Sequence, residues 1–328
     1  MGKMDTLTTE YLRRKEIFAD LLNTVFYGGR RRILAENLSE CDTQLKVLVE
    51  TNDRKRLNYA GVRDLLYAVC FEDDKVCIYV GIENQTDVDY AAPSRLMLYD
   101  ASCYHRQIAG LRQKGTAVRD KIHTVPKGTT LCAVKPILIH WGLQPWDGPK
   151  TLHDMLNAAS RELLPLIPNY TFTMVEPVTM PEEQIQMLQT DLGAVFQAIH
   201  YATDKVRLRN LVQTDERFKS LDSMAAMLLN ELLNLKLMMQ TDIKEKVNMC
   251  QAWQEILEDE RNAGRDAARD EYEPKLQLLE SENETIKSEN ETIKSENEAY
   301  KAKIENVRNN LRAQGLSEDE IRALFEHQ

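Results

Sequence analysis

Hydrophobic residues recur at helical spacing in the first segment of the chain, TTEYLRRKEIFADLLNTVFYGG. We therefore predict a helix that begins near Thr8 or Thr9 and ends at Gly28 and Gly29, because glycine commonly follows the last helical turn. A polar, less regular stretch is predicted to follow as far as about Asn58.

Apolar runs typical of strands come next. DLLYAVCF and KVCIYVGIE flank Glu72-Asp73-Asp74, which predicts a β-hairpin. A helix is predicted to follow, with Pro93 in its first turn and its end at Gly115. TLCAVKPILIHWG predicts a further strand, in which Pro136 indicates an edge position or a bulge. This order of elements predicts an α/β core with strands in mixed directions over residues 1–150.

Helical spacing dominates the next segment, residues 151–262. Met and Leu recur at this spacing in MPEEQIQMLQTDLGAVFQAIHYA and LDSMAAMLLNELLNLKLMM. Such a stripe is typical of a packed core, so we predict a helical extension that packs on the sheet or forms a small bundle.

A heptad repeat occupies much of the last segment, residues 263–328, in which SENETIK occurs twice in register. The a positions are Leu276, Asn283, Asn290, Asn297, Ile304 and Leu311, and the d positions are Leu279, Ile286, Ile293, Tyr300 and Val307. The pattern predicts a coiled coil that joins copies of the chain through residues 276–311, with a parallel dimer preferred over a trimer. The alternative is a single solvated charged helix, because three successive Asn residues weaken the seam. A short helix pair is predicted to close the chain.

The charge of the chain is divided unevenly. The formal net charge is −10. Residues 1–150 carry 22 Lys and Arg against 19 Asp and Glu, a charge of +3, whereas the remainder carries 20 against 33, a charge of −13. The clusters Arg30-Arg31-Arg32 and Arg54-Lys55-Arg56 are compatible with phosphate binding, although short basic clusters are more often solvated surface.

The sequence does not predict export or membrane insertion. The segment MGKMDTLTTEYLRRKE lacks an apolar signal region, and no stretch approaches the roughly 18 apolar residues of a membrane span. The six cysteines form no CxxC pair and are predicted to be reduced thiols. We therefore expect a cytoplasmic protein without a membrane partner.

Polar residues end the second strand of the predicted hairpin, in the segment GIENQT. Glu83 and Gln85 are two residues apart and therefore point to the same face of the strand. Asp64 begins the first strand, and these two ends are adjacent in an antiparallel hairpin. Glu16 and Asp20 share one face of the first helix, from which a further acid could come. Such oxygen ligands suit Mg²⁺ or Mn²⁺, and the alternative is a purely structural carboxylate network.

The chain resembles a known nuclease family. The spacing from Asp64 to the Glu83 and Gln85 pair is similar to the skeleton of the PD-(D/E)XK nuclease superfamily, with Gln in place of the usual Lys. KEIFADLLN, GIENQTDVDYAAPSRLMLYDASCYHRQ and ILIHWGLQPWDGPKTLHDML resemble the recombination-promoting nuclease/putative transposase family of that superfamily, over about residues 11–240. The resemblance implies a restriction-endonuclease-like fold in residues 1–150 and metal-dependent cleavage of DNA.

Site residues follow from the same resemblance. It implies that Asp64, Glu83 and Gln85 are catalytic, that Asp64 and Glu83 bind the metal, and that Asp20 or Glu16 completes the metal site. The candidates to support the site or contact DNA are Arg63, Arg95, Tyr99, Tyr104 and Gln107. Because Gln85 carries no positive charge, it is expected to orient water or phosphate.

The expected function is that of a Mg²⁺- or Mn²⁺-dependent DNA endonuclease that promotes recombination or acts in mobile-element biology. The alternative is a non-catalytic DNA-binding or scaffold protein that retains the nuclease fold and oligomerises through its coiled coil. Four histidines without metal-ligand spacing are predicted to have surface or core roles: His105, His123, His140 and His153.

Overall fold

The described residues of the computed structural model are 3–50, 56–71, 76–114, 125, 127–235 and 246–325. They belong to two units, Met1–Gln254 and Glu255–Gln328. The helices are α1 (Lys3–Leu12), α2 (Lys15–Tyr27), α3 (Ala92–Lys114), α4 (Glu182–Ile185), α5 (Asp191–His200), α6 (Lys205–Thr214), α7 (Ser223–Leu232), α8 (Met249–Ala313) and α9 (Glu318–Phe325). The strands are β1 (Leu38–Glu40), β2 (Gln44–Glu50), β3 (Arg56–Val62), β4 (Leu65–Cys70), β5 (Val76–Gln85), β6 (Ala133–His140), β7 (Thr173–Val175), β8 (Leu221–Asp222) and β9 (Lys246–Val247).

A mixed five-stranded sheet in the order β1-β4-β5-β6-β7 organises the first unit. β1, β4 and β5 are antiparallel neighbours, whereas β5, β6 and β7 run parallel. The α/β class and the predicted hairpin, formed by β4 and β5, are confirmed. The turn predicted at Glu72-Asp73-Asp74 lies outside the described residues.

Both faces of the sheet are covered, which explains why its central strands are apolar. On one face Val80 and Ile82 of β5 pack in a core with residues of α2, α5 and α7. On the other face Leu138 of β6 packs against Leu96 of α3 and Trp146. Because side chains alternate along β5, Glu83 faces the α3 side, opposite the larger core.

The predicted first helix is two helices. α1 begins at Lys3, five residues before the predicted start, and α2 begins at Lys15 after a break at Arg13 and Arg14. The predicted end is confirmed, since Gly28 follows α2 in the left-handed conformation with φ 58°. The continuous apolar pattern concealed the break because α1 and α2 contribute to the same core.

The prediction of a less regular stretch up to about Asn58 is wrong, because β1, β2 and the first three residues of β3 lie there. β1 has only three residues, too few for a visible period, but QLKVLVE in β2 does alternate. β7 lies in a segment for which helices were predicted. It has only three residues, again too few for a visible period. β6 lies inside the sheet instead of at its edge, although its pairing with β7 begins only at Ile137, immediately after Pro136.

Residues beyond 150 contribute both to the first unit and to the second. The Met and Leu stripe is confirmed as core at Leu192, Leu228 and Leu229, which are buried in the first unit. α8, a helix of 65 residues, begins at Met249 in the first unit and ends at Ala313 in the second, where α9 follows after Gly315. The predicted boundaries at residues 150 and 262 stay predictions. No helix among the described residues has the length and apolarity needed to cross a bilayer.

Candidate active site

Asp64 and Glu83 meet at the end of the β4–β5 hairpin, as the sequence predicts. Leu65 pairs with Ile82, so the residue before β4 lies beside the end of β5. The backbone N–H of Asn84 donates a hydrogen bond of 2.7 Å to Asp64 Oδ2. The hairpin therefore fixes the position of the Asp64 carboxylate relative to Glu83 with a backbone contact.

Glu83 is buried, with 5% of its surface exposed. Arg95 of α3 lies with Nη2 3.1 Å from Glu83 Oε1, without the alignment of a hydrogen bond, and its Nη1 is 2.7 Å from Asp89 Oδ2. Glu83 Oε2 is buried and has no hydrogen-bond partner among the described residues. Burial raises the pKa of Glu83 to about 8, the charge of Asp64 adds to the rise, and Arg95 opposes it.

Asp64 is half-buried and lies in the field of a further acid. Burial raises its pKa, the hydrogen bond from Asn84 opposes the rise, and the charge of Asp5 adds to it. Asp5 belongs to α1, so it is an acid of the first helix that interacts with the hairpin. Asp5 is not among the predicted site residues because the predicted first helix begins after it. An acid in the first turn of a helix that starts at Lys3 was the available signal.

The two first-helix acids proposed from the sequence lie on α2 and have other surroundings. Asp20 is buried, and its carboxylate accepts hydrogen bonds of 2.7 to 3.0 Å from the backbone of Gln189 and from the backbone and hydroxyl of Thr190. These bonds tie α2 to the residues that begin α5. Glu16 is exposed.

Gln85 has a histidine as its neighbour. In the parallel register of β5 and β6, Gln85 pairs with His140, so the two side chains leave the same face of the sheet. His140 Nε2 lies 2.9 Å from the carbonyl oxygen of Gln144, which only accepts, so Nε2 carries the proton and Nδ1 is left as an acceptor. Nδ1 is buried without a hydrogen-bond partner among the described residues.

The core role predicted for His140 describes its burial but omits its place beside Gln85. Its ring packs edge-on against Trp146, with ring centroids 5.3 Å apart. Gly142 leaves room for the ring, because a Cβ atom there would lie 2.5 Å from His140 Cε1. His140 lies beside Gln85 because of the register between two parallel strands, and this register cannot be read from the sequence.

Arg63 supports the site from within the protein. Its guanidinium donates a hydrogen bond of 2.7 Å to Asp100 Oδ1, and Tyr170 donates one of 2.6 Å to Asp100 Oδ2. Arg63 is 3% exposed and lies over the ring of Tyr99, with Cζ 5.4 Å from the ring centroid. Gly81 makes this arrangement possible, because a Cβ atom there would lie 1.7 Å from Arg63 Nη1. Arg63 and Tyr99 are thus placed to hold α3 against the hairpin.

Tyr104 and Gln107 hold the other end of α3. The hydroxyl of Tyr104 accepts a hydrogen bond of 3.1 Å from the backbone of Val134. The amide of Gln107 accepts from the backbone N–H of Cys132 at 2.8 Å and donates to its carbonyl at 3.0 Å. Both side chains therefore position the start of β6 relative to α3.

Asp64 and Glu83 offer carboxylate oxygens at the hairpin, the donor type that a divalent cation such as Mg²⁺ prefers. Among the residues that the structure describes, no three His, Cys, Asp or Glu side chains are grouped closely enough to hold a metal ion. Mg²⁺, however, keeps several waters and commonly takes only one or two carboxylates. Asp64 together with the unpartnered Glu83 Oε2 fits that requirement.

The structure describes all of the first basic cluster and only part of the second. Arg30, Arg31 and Arg32 are exposed between α2 and β1. Arg54 and Lys55 lie outside the described residues. An exposed row of three guanidinium groups can contact phosphate, but the surface location alone does not identify a ligand.

Comparison with known proteins identifies a family for this chain. A family model described as "Putative transposase, YhgA-like" matches residues 37–227. No curated protein and no solved structure matched the chain. The matched range contains Asp64, Glu83, Gln85 and His140.

Proposed function

The chain belongs to the YhgA-like putative transposase family, and from this premise we propose that it is a metal-dependent DNA endonuclease that acts in mobile-element biology or recombination. The observation that carries the proposal is the buried carboxyl group of Glu83, which has no hydrogen-bond partner for Oε2 among the described residues and lies in the field of Asp64. A buried acid in this state is unfavourable for folding, and retention of such a group is typical of functional sites.

In the proposed site Asp64 and Glu83 hold Mg²⁺ or Mn²⁺, and Asp5 adds negative charge nearby. When bound, such an ion activates water and neutralises the charge that develops on a phosphodiester. Arg95 keeps Oε1 of Glu83 in place at 3.1 Å while leaving Oε2 to the ion. This division of the two oxygens explains how one carboxylate can be both positioned and available.

Gln85 and His140 act on the attacking water. The Gln85 amide both donates and accepts hydrogen bonds, so it can orient water or a phosphate oxygen. In the neutral imidazole of His140, Nε2–H donates a hydrogen bond to the Gln144 carbonyl, so Nδ1 has a free lone pair. We assign it the role of accepting a hydrogen bond from the water that Gln85 orients, since the two residues are neighbours across β5 and β6.

The test is cleavage of supercoiled plasmid DNA with Mg²⁺ or Mn²⁺, compared with an EDTA control. Asp64→Asn and Glu83→Gln are expected to abolish metal-dependent nicking, because each removes an anionic ligand and keeps the side-chain shape. Glu183→Gln, which neutralises an exposed acid of α4, is the matched control and is expected to cut at the wild-type rate. If the folded wild type binds DNA but leaves the plasmid intact, the non-catalytic DNA-binding or scaffold function replaces the endonuclease.

A further inference from the structure

The second unit carries an uncovered apolar seam along α8. Seven of its a and d residues are between 43% and 62% exposed: Leu276, Leu279, Ile286, Ile293, Tyr300, Ile304 and Val307. Their heptad spacing places them along one side of the helix. A helix of 65 residues that exposes such a stripe requires a partner surface of the same length and character.

We propose that this seam is covered by the same seam of a second copy of the chain, in a parallel, in-register, two-stranded coiled coil. The charges beside the seam identify the partner. Glutamates occupy three successive g positions and lysines occupy three successive e positions. These residues are Glu282, Glu289 and Glu296 at g, and Lys287, Lys294 and Lys301 at e.

In a parallel dimer each g residue faces the e residue of the following heptad in the other chain. Glu282 then faces Lys287 of the second copy, and the same relation repeats in the next two heptads, in both directions across the dimer. In an antiparallel dimer g faces g and e faces e, which would oppose glutamate to glutamate and lysine to lysine. The charge pattern therefore favours the parallel arrangement.

The asparagines specify the alignment. Asn283, Asn290 and Asn297 occupy successive a positions, where they can pair with the same residue of a parallel, in-register partner. A shift by one heptad would place an amide opposite Leu276 or Ile304 and leave it without a partner. Asn at a positions also favours a coiled coil of two helices. Ile286 and Ile293 at d positions favour a larger number of helices, and the asparagines oppose that preference.

A parallel dimer has a consequence for the proposed endonuclease. This consequence rests on the proposed function, whereas the dimer itself does not. Residues 1–254 of both copies join the coiled coil at the same end, because the helices run parallel. Two candidate sites are thereby tethered to one another at high effective concentration. A dimer of this kind is suited to paired cuts in one DNA duplex.

Mass and cross-linking of the full chain test the proposal without reference to activity. Sedimentation equilibrium is expected to give twice the chain mass of 37.8 kDa. The double variant Ile286→Glu with Ile293→Glu is expected to be monomeric. The matched control, Ser281→Glu with Ser288→Glu, adds the same charge at exposed f positions and is expected to remain dimeric. A wild-type monomer or trimer would overturn the proposal.

The relative orientation of the two helices is tested with single introduced cysteines. The wild-type chain, which carries only the native cysteines, is the control. Asn283→Cys is expected to form a covalent dimer under mild oxidation, because the a positions of an in-register parallel pair face each other. A cross-link formed only when Asn283→Cys is mixed with Val307→Cys, an a position with a d position, would indicate antiparallel helices and contradict the assignment. Both readouts are independent of DNA cleavage, so an inactive but parallel dimer would reject the proposed function and keep this inference.

Discussion

Glu83 shows how the environment of one residue can set the chemistry of a site. Its carboxyl group is buried, so the charged form is destabilised, and the nearby Asp64 destabilises it further. A bound cation reverses both effects, because it attracts the two carboxylates and replaces the missing partner of Oε2. In the proposed metal site, the unfavourable free energy of burying an ionised Glu83 is offset when the cation binds.

At the residue scale, Glu83→Gln is predicted to stabilise the metal-free protein at pH 8 and to have little effect at pH 5. The folded protein keeps Glu83 protonated up to its pKa of about 8, whereas in the unfolded chain it ionises near the ordinary glutamate pKa of 4.5. Stability from this group is thus full below about pH 4.5 and is lost as the pH rises to 8. The variant is expected to gain of the order of 3–5 kcal/mol at pH 8. Thermal unfolding in EDTA at pH 5 and pH 8 measures the difference in stability between the variant and the wild type. An equal difference at the two pH values would contradict the prediction.

Packing of α3 against the sheet illustrates how an element positions these residues. Arg63, Asp100 and Tyr170 form a buried hydrogen-bonded set between the hairpin and α3. A charge pair buried in this way stabilises little by itself, but leaving one member unpaired is strongly destabilising. Gly81 is the residue in β5 on which the set depends, because any larger side chain would displace the Arg63 guanidinium.

At the scale of elements, Gly81→Ala is predicted to destabilise the protein by about 3 kcal/mol or more, since it separates Arg63 from Asp100. Gly110→Ala is the matched control on α3, where a Cβ atom meets no other atom within 4 Å. There the same change is expected to stabilise the helix by up to about 1 kcal/mol. Urea unfolding of both variants measures the difference. A similar small effect in both would show that Arg63 tolerates displacement.

A second prediction at this scale concerns Asp20, which accepts hydrogen bonds from residues 189 and 190 at the start of α5. Asp20→Asn is expected to cost about 1–2 kcal/mol through the weakened cap and to retain metal-dependent cleavage. Asp204→Asn, at the exposed N-cap of α6, is the comparison and should cost less. Loss of cleavage by Asp20→Asn at unchanged stability would place Asp20 in the metal site after all.

The whole molecule combines a folded α/β unit with a long acidic helix. The two units differ in how they are stabilised, since the first has a buried core and the second exposes its apolar seam. In the proposed dimer the second unit gains most of its stability from association, and its folding is then linked to protein concentration.

At the scale of the whole molecule, the Ile286→Glu and Ile293→Glu variant is predicted to convert double-strand breaks into single nicks. The physical reason is that a monomer brings one site to the duplex, whereas the dimer brings two. Plasmid products resolved on a gel give the ratio of linear to nicked circles, which is expected to fall at least tenfold in the variant. Linear product at the wild-type rate would mean that dimerisation is not needed for paired cuts.

The sequence by itself determined the features that depend on neighbouring or regularly spaced residues. β4 and β5 lie close together in the sequence, so local strand patterns were enough to predict that Asp64 and Glu83 meet at the open end of the hairpin. The heptad of α8 was readable for the same reason, because every position of a helix follows from its spacing. The end of α2 at Gly28 also follows from a local property, the left-handed backbone that glycine adopts easily.

Only the tertiary structure decided which distant residues join that hairpin. Asp5 interacts with Asp64 because of where α1 packs, and His140 lies beside Gln85 because of the register between β5 and β6. A parallel pair is connected through a helix, so its register depends on packing over the whole crossover and leaves no local pattern. For the same reason the burial of Arg63 beneath Gly81 could be seen only once α3 was in place.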